Sequence, residues 1–500
     1  MKKILITIIA SAISLAGCKD FLTEEPLAQV ASESYFKSGK DLNAGLAGVY
    51  SSFQEMMTGT GEGFSGMYHY WGEGRSDNFD RSQYANSTIS ELAINTLTSG
   101  NSSANWNNLY RTIARANLMI KRLPDIQKYD PNVTAATINS ALAQCYAMRA
   151  MCYFYIVRIW GDAPIRTEVY ESLSVDPELP RESKEKIFTD VIIPDLTLAY
   201  DLIPKSQTPV IWNINEGAIA AMLGDVYAWK KDYENTKLWL MKVFEAKGAK
   251  GVGYGVNGSS LESQATWKTL FLNPAITNEA IWSIHWDFQN NGCACLPISV
   301  GKTNNPVRVD SIIHADWKKE KSDTRVAKTI DTLSGLGHID KVVKYYDVKT
   351  FGTIASVNEQ FPVFLVMYRL ADVYLLFAEA LNETGSQSEA IRFLNYIRTR
   401  AGLPSITASS PEAASKETLA NAILNERRYE LFAEGKRWFD IVRAGKVNEI
   451  MDPIIKYRVQ RITQRPDSVG FGTDMNKVLW PIHRTLLEDN KKLVQNPSYN

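Results

Sequence analysis

Two stretches of this chain place small residues where consecutive helices must touch, and that pattern restricts the fold more than any other feature. In the first, Ala218 to Trp229 contains Leu223-Gly224-x-x-Tyr227, followed by Asp232-Tyr233 and a second helical run through Leu238, Leu240 and Phe244. In the second, Arg369 to Ala401 gives Ala378-x-Ala380, Gly385 at a turn, Ala390, and then Leu394 and Ile397. Small residues on facing helices joined by a short turn let the two backbones approach, which is the tetratricopeptide (TPR) logic. The copies are degenerate and separated. The reading is therefore a mostly α chain with a TPR-like helix-pair superhelical scaffold, not a regular array. Such a scaffold suits the length. At 500 residues the chain exceeds the ~250–300 at which a single core stops growing, whereas stacked pairs each bury a face on a neighbour.

Two further segments read as helices. Thr137 to Trp160 carries Leu142, Tyr146, Ala150, Tyr153, Val157 and Trp160 at helical spacing, with Gly161 and Pro164 as the stop. Trp106 to Leu123 repeats the pattern with Leu109, Ile113, Ala116 and Ile120. Ser183 caps another helix, although Lys186 stands where a capping box has Glu. Between the helical blocks, residues 55–104 and 250–360 are rich in Gly, Ser, Asn and aromatics. They read as long loops with a few short strands, such as Ala280-Ile281-Trp282-Ser283-Ile284-His285-Trp286. Binding residues concentrate on loops held by a rigid scaffold, so function is to be sought there.

At the N-terminus, Lys2 and Lys3 precede an uncharged run from Ile4 to Ala16, then Leu15-Ala16-Gly17-Cys18. The run is shorter than the ~20 residues that cross a bilayer, and it reads as a signal peptide over 1–17. Leu-Ala-Gly-Cys is similar to a bacterial lipobox, in which Cys18 is acylated, with palmitate among the expected chains, and becomes the new N-terminus. The organisation expected is signal peptide 1–17, an N-terminal region 18–230 and a C-terminal region 231–500. The 55 Lys+Arg balance 55 Asp+Glu, and cleavage would leave 53 against 55, a net charge of −2. So even a balance offers no sustained basic field for nucleic acid. Of the remaining cysteines, Cys145 and Cys152 lie roughly 10 Å apart by helical rise, too far for a disulfide. Cys293-Ala-Cys295 has no second pair or nearby His for zinc, so no metal or cofactor is expected.

At this point the residues match a known family. The chain resembles the SusD/RagB outer-membrane nutrient-binding lipoproteins across essentially its whole length. The resemblance rests on Cys18-x-Asp20-Phe21-Leu22, Trp106-x3-Tyr110-x2-Ile113-x2-Ala116-Asn117 and Arg158-x-Trp160-Gly161-Asp162-x-Pro164. Toward the C-terminus it rests on Arg369-x-Ala371-Asp372-Val373-Tyr374, Leu394-Asn395-x-Ile397-Arg398-x-Arg400-Ala401-Gly402, and Glu426-Arg427-Arg428-x-Glu430-Leu431-x2-Glu434-Gly435-x-Arg437-Trp438-x-Asp440. The resemblance implies a SusD-like fold without enzymatic activity, anchored by lipid in the outer membrane and exposed at the cell surface. It also implies capture of a glycan or other nutrient for a SusC-like TonB-dependent transporter. The alternative is a protein-interaction lid of that transporter with a peptide or other non-sugar ligand. The chain departs from the family in Leu479-Trp480-Pro481-Ile482-His483, which lacks a second Pro, and in Asn496-Pro497-Ser498-Tyr499, where Ser replaces the usual Gly.

An enzyme would need a catalytic constellation. Glu426, Glu430 and Glu434 recur every four residues, which predicts three carboxylates on one helix face. Arg427, Arg428 and Arg437, or Arg149 and Arg158, are expected to pair with them, and one stripe cannot oppose two carboxylates across a cleft. A sugar site instead needs aromatic faces beside polar groups, because pyranose rings stack on aromatics while their hydroxyls require partners. With 12 Trp and 23 Tyr, two places show that mix. From the first, Tyr68 to Phe79, the candidates are Trp71, Arg75, Asp77 and Asn78. From the second, Trp282 to Gly292, they are Trp286 and Asn290, with alternation placing Trp282, Ile284 and Trp286 on one strand face and His285 on the other. Trp106, Trp160, Trp438 and Trp480 lie in scaffold motifs and read as packing residues.

Overall fold

The computed structural model describes residues 36–59, 66–171, 176–292, 306–330, 342–345, 362–465 and 467–499. The signal segment, Cys18 and the Cys293-Ala-Cys295 pair lie outside the described residues. The architecture is a succession of helices, each packed on the next. Helix α1 (Gly39–Thr58) opens on Ser38, whose side chain accepts a hydrogen bond from the Asp41 N–H, and it buries Leu42, Val49, Phe53 and Met56. After a short helix α2 (Met67–Gly72) come α3 (Asn107–Arg122), α4 (Ala135–Trp160), α5 (Ile193–Leu202), α6 (Glu216–Trp229) and α7 (Tyr233–Glu245). The second block is α8 (Leu370–Glu383), α9 (Gln387–Ala401) and α10 (Lys416–Glu430). Contacts run in order: α1 on α3, α3 on α4, α4 on α5, α5 on α6, α6 on α7, α7 on α8, α8 on α9 and α10. Among the described residues no helix is long and apolar enough to cross a membrane.

The helix ends follow the sequence closely. Gly161 closes α4 with φ +78°, and Gly385 turns the chain between α8 and α9 at φ +85°. Ser183 accepts from the Lys186 N–H, but the helix it starts passes through a π turn at Phe188–Ile192 before reaching α5. The close approach expected at Leu223-Gly224 is present: a Cβ on Gly224 would stand 2.2 Å from Leu240 Cδ2 of the facing helix. Gly224→Ala is expected to cost about 1–3 kcal/mol by overpacking, despite the higher helix propensity of Ala. A urea midpoint at or above that of the parent would contradict this packing.

Strands are few among the described residues. β1 (Phe79–Arg81) pairs antiparallel with β3 (Val307–Val309), and β2 (Ala280–Trp286) pairs antiparallel with β4 (Val363–Arg369), placing His285 opposite Phe364. The β2–β4 ladder shifts register on both sides of Trp282. A bulge of this kind breaks strict alternation, so Ala280 to Ile284 are all buried and only His285 is exposed.

The acidic stripe is differently arranged from the expectation. Helix α10 ends at Glu430, so Glu434 lies beyond it and only Glu426 and Glu430 share its face. All three are buried and paired, but with other cations than those expected. Glu426 meets Arg325 at 2.6 Å. Glu430 meets Arg369 at 2.7 Å and Arg325 at 3.0 Å, and Glu434 meets Arg369 at 2.8 Å and Lys344. The arginines expected there have their own partners. Arg427 binds Asp372 and Asp440, and Arg428 and Arg437 bind Asp77. Arg149 binds Asp195 and Arg158 faces Asp225. Asp323-x-Arg325 is a buried ion pair at 2.7 Å.

Candidate functional site

Burial decides the fate of most sequence candidates. Trp71 is 1% exposed; its indole donates to the Ser103 carbonyl at 3.0 Å and meets Trp160 edge to face. Arg75 lies 4.4 Å from the Trp438 ring centre and donates to the carbonyls of Val478 and Lys477 and to Asn95. Asp77 is held by Arg437 at 2.8 Å and Arg428 at 3.1 Å. Asn78 donates to Glu73 at 3.0 Å and accepts from Arg428 at 3.0 Å. Arg75, Asp77 and Asn78 tie this segment to C-terminal residues, Trp71 packs within the N-terminal helices, and all four side chains are buried. Trp286 is likewise 1% exposed, its indole donating to the Gly292 carbonyl at 2.8 Å. Asn290 is exposed but hydrogen-bonded to Asp287 at 2.6 Å. Trp106, Trp160, Trp438 and Trp480 are all buried.

A partly accessible group of aromatic rings lies around His285 of β2. His285 and its cross-strand partner Phe364 lie parallel, with centres 5.2 Å apart and planes 10° off. Trp212 completes the group, 5.1 Å from His285 and 5.4 Å from Phe364. None of the three is fully buried. Beside Trp212 and His285 opens a cavity of about 550 Å³, walled by α1, the Trp212-Asn213 segment, β2 and Asn291.

The local chain holds this platform in place. The Ser283 N–H donates to the Ile211 carbonyl at 2.9 Å, so the Trp212 segment runs along the edge of β2. Asn215 donates to the Ile281 carbonyl at 2.9 Å while its carbonyl oxygen caps α6. Tyr50 of α1 accepts from the Ile214 N–H at 2.8 Å and donates to Gln144 at 2.7 Å. Burial holds the Tyr50 phenol well above its usual pKa, so it stays a donor. Gln54 donates to the His285 carbonyl. Burial lowers the pKa of His285, which favours a neutral ring. The lining combines apolar faces (Leu46, Phe53, Trp212, Ile284) with amide and hydroxyl groups (Asn43, Ser51, Asn213, Asn291). Among the described lining residues there is no carboxylate, and among the described residues no cluster of metal-binding side chains occurs.

Sequence comparison places this architecture. A family profile described as "SusD family" matches residues 302–499, and one described as "Starch-binding associating with outer membrane" matches residues 20–228. The chain belongs to the SusD/RagB family. A SusD-like protein of Formosa agariphila is 28% identical over 97% of this chain and 96% of its own length. One from Bacteroides ovatus is 24% identical over 88% and 82%. Among solved structures, a SusD superfamily protein from Bacteroides vulgatus aligns with TM-score 0.74 at 21% identity, covering 93% of this chain and 99% of that one. A laminarin-binding SusD-like protein aligns with TM-score 0.71 at 22% identity, over 93% and 100%. These neighbours establish the SusD fold for this TPR-like scaffold.

Trp212 and Phe364 are absent from the sequence candidates, which take Trp286 and not His285 from β2. The signal behind those candidates, an aromatic beside amide side chains, was present in Trp212-Asn213 as well. Of the residues that alternation assigned, Trp282, Ile284 and Trp286 are buried and His285 is exposed, but Ile281 and Ser283, on the His285 side by alternation, are buried too. Trp282 stacks on Phe53 of α1 at 5.9 Å, and His285 is the one exposed residue of β2.

Proposed function

We propose that this SusD/RagB protein binds an oligosaccharide, without catalysis, in the cavity that Trp212 and His285 line, with Phe364 packed against both rings. As a lipid-anchored outer-membrane protein it would then pass the sugar to a SusC-like TonB-dependent transporter. The observation that carries the reading is the partly exposed group of three packed rings next to amide-lined space, the mix a pyranose requires. The laminarin-binding neighbour supports a carbohydrate ligand, and the lack of carboxylates among the described lining residues supports binding over hydrolysis. The Leu15-Ala16-Gly17-Cys18 motif supports the anchor.

Isothermal titration against a panel of plant, algal and bacterial oligosaccharides tests the reading. At least one member is expected to bind the parent protein. Trp212→Ala should weaken it by about 1–3 kcal/mol, taking the loss of a stacked nucleobase platform as the scale, or roughly 5–150-fold. Failure of the whole panel would sink the sugar ligand and favour a peptide. Unchanged binding by Trp212→Ala would move the site elsewhere.

A further inference from the structure

A second cavity of about 200 Å³ adjoins the aromatic one, between α4 and the segment Ile203–Gly217. Asn213 lines both. The partition between them is Tyr50, whose side chain lines the first cavity while its phenol bonds Gln144 and the Ile214 N–H, both of which line the second. At that size the second space falls below the roughly 300–1,000 Å³ of self-sufficient ligand pockets. It reads as an annex and not as an independent site. Two features fit it to a hydroxyl-rich chain. Lys247 lines it half-buried, and its ammonium has no hydrogen bond or ion pair within the described residues. Val210 stands at the same cavity 60% exposed, leaving an apolar surface for the C–H face of a sugar.

We propose that this annex is an extension subsite, so that the ligand is a chain of several sugar residues. One end stacks on Trp212 and His285, and the other passes Asn213 to place hydroxyls on Lys247. The proposal rests on the glycan-binding reading of the aromatic cavity.

The probe is a length-graded series, dimer to octamer, of α-1,4-gluco-, β-1,3-gluco-, β-1,4-gluco-, β-1,4-xylo- and β-1,4-manno-oligosaccharides, titrated against the full protein. Within any series that binds, affinity should rise about tenfold or more beyond the dimer, the scale of one charge-assisted hydrogen bond. Lys247→Met, and independently Gln207→Trp to fill the annex, should bring the long-to-short affinity ratio down toward one. Trp212→Ala should weaken every length. Binding that is already maximal at the dimer, or a ratio untouched by both annex variants, overturns the extension alone. No binding at any length in any series overturns the glycan reading and the extension with it.

Discussion

Replacing Arg369 by methionine is expected to remove about 3–5 kcal/mol of folding stability, because it takes one partner out of a buried ion network. Arg369 is 0% exposed and reaches Glu279 at 2.8 Å, Glu430 at 2.7 Å and Glu434 at 2.8 Å. Arg400, Arg325 and Lys344 remain in the variant, but they would face carboxylates that have lost a shared cation. Desolvation alone would raise the Glu430 pKa. Arg400, Arg369, Arg325 and Lys344 outweigh it and hold that carboxyl well below its usual range. A depressed carboxylate contributes stability that is present above its unfolded pKa of about 4.3 and is lost as pH falls toward the folded value. The gap between parent and variant should therefore be full at pH 7 and narrow below about pH 4. Urea unfolding followed by circular dichroism at both pH values gives the two gaps. A midpoint shift at pH 7 equivalent to less than 1 kcal/mol would contradict the network's role.

Trp71→Ala should be comparably damaging, at about 3–5 kcal/mol. Its indole sits among Trp160, 5.7 Å away, and Tyr155, also at 5.7 Å. The variant leaves a large cavity and strands the Ser103 carbonyl that the ring N–H now serves. Sugar affinity per folded molecule, measured by titration well below the unfolding temperature, is expected to stay within about twofold of the parent, since the ring reaches neither ligand cavity. An unimpaired fold with lost sugar binding would return Trp71 to the ligand site.

The scaffold was legible because helix pairing is written locally. Gly224 faces Leu240, Gly161 ends α4 and Gly385 turns between helices within a few residues of the positions that specify them. The proposed binding surface is not local. Trp212, His285 and Phe364 come from three separated segments, and only the β2–β4 register with the Ser283–Ile211 hydrogen bond brings them together. Composition also misled around Trp71 to Asn78. Arginine, aspartate and asparagine beside aromatics look the same in sequence whether they await a ligand or are consumed by distant partners. Here Asp77 is consumed by Arg437 and Asn78 by Arg428. The family departure at Ser498 became interpretable only with the backbone: it has φ +74°, in the region that favours glycine.

Asp77 and Arg437 stand 360 residues apart, and Arg75 meets the Val478 carbonyl across 403. Gly72 packs so tightly on Gly435 that a Cβ would fall 2.0 Å from its carbonyl oxygen. During synthesis, the region around α2 is made early and the groups that neutralise and cover it are made near the end. Loop closure over such separations is slow. The segment around α2 therefore waits, incompletely packed, for nearly the whole polypeptide, and residues made near the end determine when it settles.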